Sequence, residues 1–321
     1  MNATGPVPPL ALLACLLQLA ACGGGGGGTS PGAAPVAAAP APAPPVAAPT
    51  APPATPPAPP STPAPPAPPA NAGPAPAGYR LVWADEFERP GLPDATRWGY
   101  DTERNRLGWW NNERQYYAAA RFQNSVVEGG RLLITARREA LSQLPDWGGQ
   151  GYSSARLITR GKAAWTYGFF EIRARMPCGT GTWPAIWMLG TGGPNGTVWP
   201  DDGEIDIVEH VGRNPNEILG TVHTPITGGS GNGSHTALPS ACTAFNDYQL
   251  HWTADEIAIG VNGNVYHRYR NPRTGRPAWP FDAPQYLLLN IAVGGTLGGA
   301  VDDSIFPRTL EVEHVRVWQA P

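Results

Sequence analysis

From Tyr79 onward, apolar side chains recur in short runs and not in helical periods. The runs include "YRLVWADEF", "NSVVEGGRLLITARR", "SSARLITRG", "YGFFEIRARMP", "GEIDIVEHVG", "EIAIGVNGNVYHRY", "QYLLLNIAVGG" and "LEVEHVRVWQ". Each is rich in β-branched and aromatic residues and bounded by Gly, Pro, Asn or Asp, which is the pattern of strands between turns. Val127–Arg131 and Val261–Val265 carry Gly between two apolar stretches and predict hairpins. No window sustains a period of 3.6 residues. Many strands without alternating helices predict an all-β protein, an antiparallel sandwich or barrel.

One run breaks the strand pattern. In "WPDDGEIDIVEHVG", Glu204 and Asp206 obey the two-residue alternation, whereas Glu209 comes one residue late. Two apolar residues are adjacent at Ile207–Val208, where a β-bulge would insert one residue and restore the phase. With that bulge, Ile205, Ile207 and Val208 serve the core and all three acids line one face. Glu204 and Glu209 then lie about 13 Å apart at Cα, at ~3.3 Å per step. Inward-leaning side chains can bring the carboxyls to the roughly 5 Å that a retaining glycosidase uses. Like charges on one face raise the pKa of at least one acid, which suits a general acid. A solvated outer strand face is the alternative reading of the acids alone.

Composition restricts where the fold begins. No charged side chain precedes Arg80, and 23 of the 39 prolines lie before Tyr79. Such a segment cannot build a core or a sheet ladder. The remaining roughly 240 residues fit one large domain. Leu10–Ala21 is apolar, too short to span a bilayer, and suits an export signal. It ends in "LAAC", which resembles a bacterial lipobox with Cys22 as the lipidated residue, although the n-region has no Lys or Arg. Cleavage as an ordinary secretory signal is the alternative. Residues 1–22 are thus expected to be a signal peptide with lipobox, and residues 23–78 a Gly then Ala/Pro-rich linker. Such a linker favours extended polyproline II and reaches on the order of 150 Å. An exported, membrane-anchored bacterial protein follows, or a secreted one if the lipobox is not used. Cys178 and Cys242 remain for the domain, and an exported protein permits one disulfide between them. No CxxC or HExxH suggests zinc, and a net charge of -3 without a basic run argues against nucleic acid.

With "WWNNERQYY", "YSSARLITRGK", "YGFFEIRARMPCGTGTWPAIWML", "WPDDGEIDIVEHVG", "GTVHT" and "VRVWQ" in that order, the chain from about Arg80 to Gln319, within an expected domain of residues 79–321, resembles glycoside hydrolase family 16, most of all its bacterial endo-1,3-β-glucanases. The resemblance implies a β-jelly-roll sandwich of two curved antiparallel sheets with a concave substrate cleft. It implies Glu204 as nucleophile, Glu209 as general acid/base and Asp206 between them, bonded to the nucleophile. The bulged spacing separates the chain from the family's lichenases and xyloglucan enzymes and is shared with its agarases and carrageenases. Trp183, Trp187 and Trp199 match cleft aromatics, with sheet core as the alternative for all three. Asn112 and Arg156 match positions that hold sugar hydroxyls, or brace loops. His223 is placed beside the acids, facing sugar or carboxylate, with a satisfied structural histidine as the alternative. Glu113 is expected to brace the "NNE" loop.

No cofactor is implied for catalysis. A structural Ca²⁺, carried by many members of the family, would fall on Glu86, the Gly130 carbonyl and Glu313, where the family often has Asp at the last position. The implied partner is a β-glucan, with mixed 1,3/1,4 chains as an extension, and the protein is expected to be a monomer. Two other readings stay open: a non-catalytic β-glucan-binding module, which typically lacks the acids, and a transglycosylase, since retaining chemistry lets a sugar replace water.

Overall fold

The computed structural model describes residues 75–193 and 197–321. The expected signal, the lipobox Cys22 and nearly all of the linker lie outside the described residues. Seventeen strands run through the described chain. They begin with β1 (Arg80–Asp85), β2 (Gly99–Tyr100), β3 (Gln115–Tyr117), β4 (Ser125–Glu128), β5 (Arg131–Arg138) and β6 (Tyr152–Ser154). Next come β7 (Arg156–Ile158), β8 (Gly168–Arg175), β9 (Thr182–Gly190), β10 (Glu204–His210), β11 (Glu217–His223) and β12 (Asn232–Ala237). The chain closes with β13 (Asn246–Trp252), β14 (Glu256–Val261), β15 (Asn264–Arg270), β16 (Gln285–Val293) and β17 (Arg308–Gln319). The one α-helix among the described residues is the single turn α1 (Gly295–Gly298).

Two sheets form. The ten-stranded sheet has the order β15-β14-β13-β8-β17-β5-β6-β3, with β1 beside β17 and β4 beside β5. The seven-stranded sheet has the order β12-β11-β10-β9-β16-β7-β2. Pairing is antiparallel except between β3 and β6. This is a jelly-roll sandwich, and strand alternation explains it. Ile186 and Met188 of β9, Leu287, Leu289 and Ile291 of β16, and Phe170 and Ile172 of β8 belong to one buried cluster. Each such side chain contributes about 1.5–3 kcal/mol by leaving water.

Both hairpins read from the sequence are present. Gly129 and Gly130 join β4 to β5 at φ 59° and 73°, and Asn262 and Gly263 join β14 to β15 at φ 51° and 80°. Positive φ at both central residues matches the right-handed twist of the flanking strands.

Candidate active site

The odd spacing in β10 is a bulge. Against β9 the register steps from Asp206–Trp187 directly to Val208–Ile186. Against β11 it steps from Asp206–Thr221 to Glu209–Leu219. Ile205, Ile207 and Val208 are all fully buried in the core. The residue without a partner on β9 is therefore Ile207, while Val208 keeps its register. The consequence is that Glu204, Asp206 and Glu209 project from the outer face of the seven-stranded sheet, opposite Leu189, Trp187 and Ala185. Asp206 is only 3% exposed although it points away from the core, so the acids sit in a recess.

The side chains around them converge from neighbouring strands and one loop. Trp183 Nε1 donates to Glu209 Oε1 at 2.9 Å. Trp199, half-exposed on the loop before β10, donates its Nε1 to Glu204 Oε2. His223 pairs with Glu204 across β10–β11 and brings Nε2 to 3.3 Å from Asp206 Oδ2. Its Nδ1 lies 3.2 Å from the Gly228 carbonyl oxygen, which can only accept, so Nδ1 carries hydrogen. The loop from Gly228 closes on this imidazole. A Cβ at Gly231 would come within 2.8 Å of His223 Cε1, and Gly231 has φ 64°.

The electrostatics separate the acids. Burial, reinforced by the charges of Glu204 and Glu209, holds Asp206 well above the usual carboxylate range, against the pull of His223. Burial is also the main reason that Glu209 is raised to about 7, with the Glu204 charge adding and the Trp183 hydrogen bond opposing. Burial alone would lower His223, but its contact with Asp206 and the charge of Glu204 push it up to about 9. An acid that keeps its proton near neutrality within a cluster of carboxyls is an arrangement suited to acid-assisted bond cleavage.

Further along the same face, Trp187 lies on the outer side and not in the main core. Its Nε1 donates to Asn290 Oδ1 at 2.7 Å, and its ring lies 4.5 Å from the Arg156 guanidinium carbon. Arg156 is also 5.1 Å from the Trp109 ring and within 3.3 Å of Asp101 Oδ2. At 6% exposure it is held more than it is offered. Asn112 is exposed, at φ 58°, in the turn that packs beside Gly295 and Trp183. Glu113 accepts from Gln115 at 2.7 Å and Tyr117 at 3.3 Å, so it braces that loop.

Asn290, Tyr117, Trp109 and Asp101 were not singled out from sequence, yet they hold this part of the face together. Asn290 Nδ2 donates to Tyr117 Oη at 2.9 Å while its oxygen holds Trp187. The signal was present: Asn290 is the one amide in the apolar run "YLLLNIAV", and a buried amide needs partners.

Cys178 and Cys242 form a disulfide with Cα atoms 5.7 Å apart. Two of the three residues matched to a calcium site are engaged by arginines. Arg316 takes Glu86 with two hydrogen bonds, at 2.8 and 2.9 Å. Arg173 Nε donates to Glu313 at 2.7 Å. Gly130 is exposed in its hairpin turn. In this arrangement guanidinium groups take both oxygens of Glu86 and one of Glu313, so Glu86 would have to be released before it could serve Ca²⁺.

The glycosyl hydrolases family 16 model matches residues 112–304. A beta-glucanase of Rhodothermus marinus is 49% identical over 252 residues, covering 75% of this chain and 85% of that protein. The crystal structure of a non-specific endo-β-1,3(4)-glucanase of the family, with 1,3-β-D-cellobiosyl-glucose at its active site, superposes with a TM-score of 0.74 at 49% identity, over 76% of this chain and 96% of that one. The laminarinase of Rhodothermus marinus gives a TM-score of 0.70 at 49% identity, over 75% and 97% of the two chains. With the family match over residues 112–304 and this similarity in sequence and fold, the chain belongs to glycoside hydrolase family 16.

Proposed function

We propose that this chain is an endo-acting retaining hydrolase of β-1,3-glucan, extending to mixed 1,3/1,4 chains. The observation that carries the reading is the bulged strand itself. It places Glu204, Asp206 and Glu209 in one recess, with Glu209 held up to about 7. Glu204 attacks the anomeric carbon while Glu209 protonates the departing oxygen, leaving a covalent glycosyl-enzyme. Glu209, now ionised, then takes a proton from water, which attacks the same carbon and restores the original configuration. The indole donors of Trp199 and Trp183 orient the two glutamates, and Asp206, kept protonated or sharing a proton with His223, stands between them. The reading takes the protein to act as a monomer. The chemistry draws on side chains alone and calls for no cofactor.

The test is a side-by-side digestion of laminarin, lichenan, agarose and carrageenan, with the anomer of the first products followed by NMR. Release of β-configured oligosaccharides from laminarin is the expected result. Agarose or carrageenan as the sole substrate would reassign the specificity. Binding without new reducing ends would favour a glucan-binding module, and elongated products would favour transglycosylation.

A lipid anchor at Cys22 belongs to the same proposal, supported by the apolar run ending in "LAAC". Attachment to the envelope predicts that wild type partitions into detergent and Cys22→Ala does not. A structural Ca²⁺ rests on the family resemblance alone and would require Arg316 to release Glu86.

A further inference from the structure

The outer face of the ten-stranded sheet carries a second polar cluster that the glucanase reading leaves unused. Glu171 lies on β8, Asp247 on β13 and His314 on β17. β8 is the middle strand of the three. Asp247 and His314 both pair with Arg173, and Glu171 is two residues before it on the same face. Each of the three offers one ligand atom, and these atoms all lie within 4.8 Å of one another.

His314 supplies a separate indication. It is 8% exposed, and its Nε2 is buried without a hydrogen-bond partner among the described residues. That nitrogen sits 3.4 Å from Glu171 Oε1 without forming a hydrogen bond to it. A buried polar atom left unpaired costs free energy that a ligand would recover. Glu171, at 3% exposure, is oriented from outside by Gln249 Nε2, which donates to its other oxygen at 2.8 Å. Such outer hydrogen bonds fix a ligand before a metal arrives. Asp247 is partly exposed, which leaves a way in from solvent.

We infer that Glu171, Asp247 and His314 form a binding site for a divalent transition-metal ion of the zinc class. One imidazole and two carboxylates, with water in the fourth position, match the donor preference of such ions. Ca²⁺ and Mg²⁺ prefer all-oxygen sets. Two carboxylates supply the negative charge that a divalent ion calls for. Of the two guanidiniums nearby, Arg316 is committed to Glu86. Arg173 is shared between Glu313 and Asp247 Oδ1, at 2.7 and 3.0 Å. The ion would tie three adjacent strands together, across the sandwich from the acids of β10, and so act on stability rather than on the reaction.

The experiment uses the full chain without a histidine tag and without reductant, so that Cys178 and Cys242 stay paired. Chelator-treated protein is dialysed against Zn²⁺, bound zinc is counted by elemental mass spectrometry, and thermal unfolding is recorded with and without the ion. The comparison proteins are His314→Gln and Asp247→Asn. Because Glu204, Asp206 and His223 also cluster, the deciding quantity is the difference between wild type and variants. Wild type is expected to hold one ion more per chain than either variant. At a hundredfold excess over Kd its Tm should rise by roughly 5–10 °C more than theirs. Equal zinc counts and equal Tm shifts in all three proteins overturn the site, as does wild type that takes up no zinc. Should His314→Gln fail to fold, the difference between wild type and Asp247→Asn decides by itself.

Discussion

The two outer faces of the sandwich treat carboxylates in opposite ways. On the ten-stranded sheet, four of the acids are answered by arginine: Glu86 by Arg316, Glu313 and Asp247 by Arg173, Glu311 by Arg131 and Arg175. On the seven-stranded sheet, Glu204, Asp206 and Glu209 crowd together with His223 as the one cationic group in contact. Ion pairs of this kind on a partly solvated face hold charge at little net gain or loss of stability. The second withholds compensation, and Asp206 and Glu209 are pushed upward by burial and by the charge of Glu204 beside them. The difference teaches where the protein keeps its chemistry: groups with displaced proton affinity gather where a proton must move near neutral pH.

The sharpest way to break this comparison is to remove the acids. Glu204→Gln should abolish laminarin hydrolysis with the fold intact. Glu209→Gln should lower it by roughly 10²–10⁴-fold, yet spare an aryl glycoside whose leaving group needs no proton. Reducing-end assays on both substrates check this. Either variant digesting polymer at the wild-type rate would remove the assignment.

Next in size is the bulge. Deleting Val208 yields an unbulged Glu204–Asp206–Glu209 pattern in which the third acid still shares the face. Its aim changes, and a displacement of about 1 Å can cost roughly 100-fold in rate. Val208 is fully buried, so the deletion should also lower stability by about 1–3 kcal/mol. Activity on laminarin and lichenan, with thermal unfolding, separates the two effects. An unchanged laminarin rate would show that the spacing has no catalytic part.

A third effect is pH-dependent. Glu209 is raised from 4.5 to about 7 in the folded protein. A carboxyl raised in this way favours the fold below its unfolded pKa, and that advantage is lost as pH rises through about 7. Glu209→Gln, which cannot ionise, should therefore be as stable as wild type near pH 4. It should gain relative to it between pH 4.5 and 7.5, by up to on the order of 3 kcal/mol. In wild type, kcat/KM should fall on the alkaline side with an apparent pKa of about 7. A Tm difference that does not change with pH would contradict the raised acid.

The smallest effect belongs to the other sheet. Glu313→Gln breaks a partly exposed pair with Arg173 and should change stability by less than about 1 kcal/mol, leaving kcat/KM untouched. A loss that appears only in the presence of Ca²⁺ would instead show that this carboxylate serves a cation.

Local pattern was enough for several features because each depends on near neighbours in the chain. The Gly129–Gly130 and Asn262–Gly263 turns require residues that tolerate positive φ, and the sequence supplies them. The bulge was legible because Ile207 and Val208 interrupt a period-two alternation. Which of the two lacks a partner was not legible, because register belongs to the neighbouring strand. The resemblance named Trp187 without deciding its face. Only β16 decides it, by presenting Asn290 as the acceptor for its indole.

The sequence by itself determined the strand content, the phase of the three acids and the family. These follow from alternation along one segment and from motif order. The tertiary structure alone decided how far each acid is buried, which proton His223 Nδ1 gives to Gly228, and that Arg316 and Arg173 hold Glu86 and Glu313. Each of those depends on atoms brought together from distant parts of the chain, and both the cost of desolvating a charge and the reach of a hydrogen bond are set by distance in space, not by position in sequence.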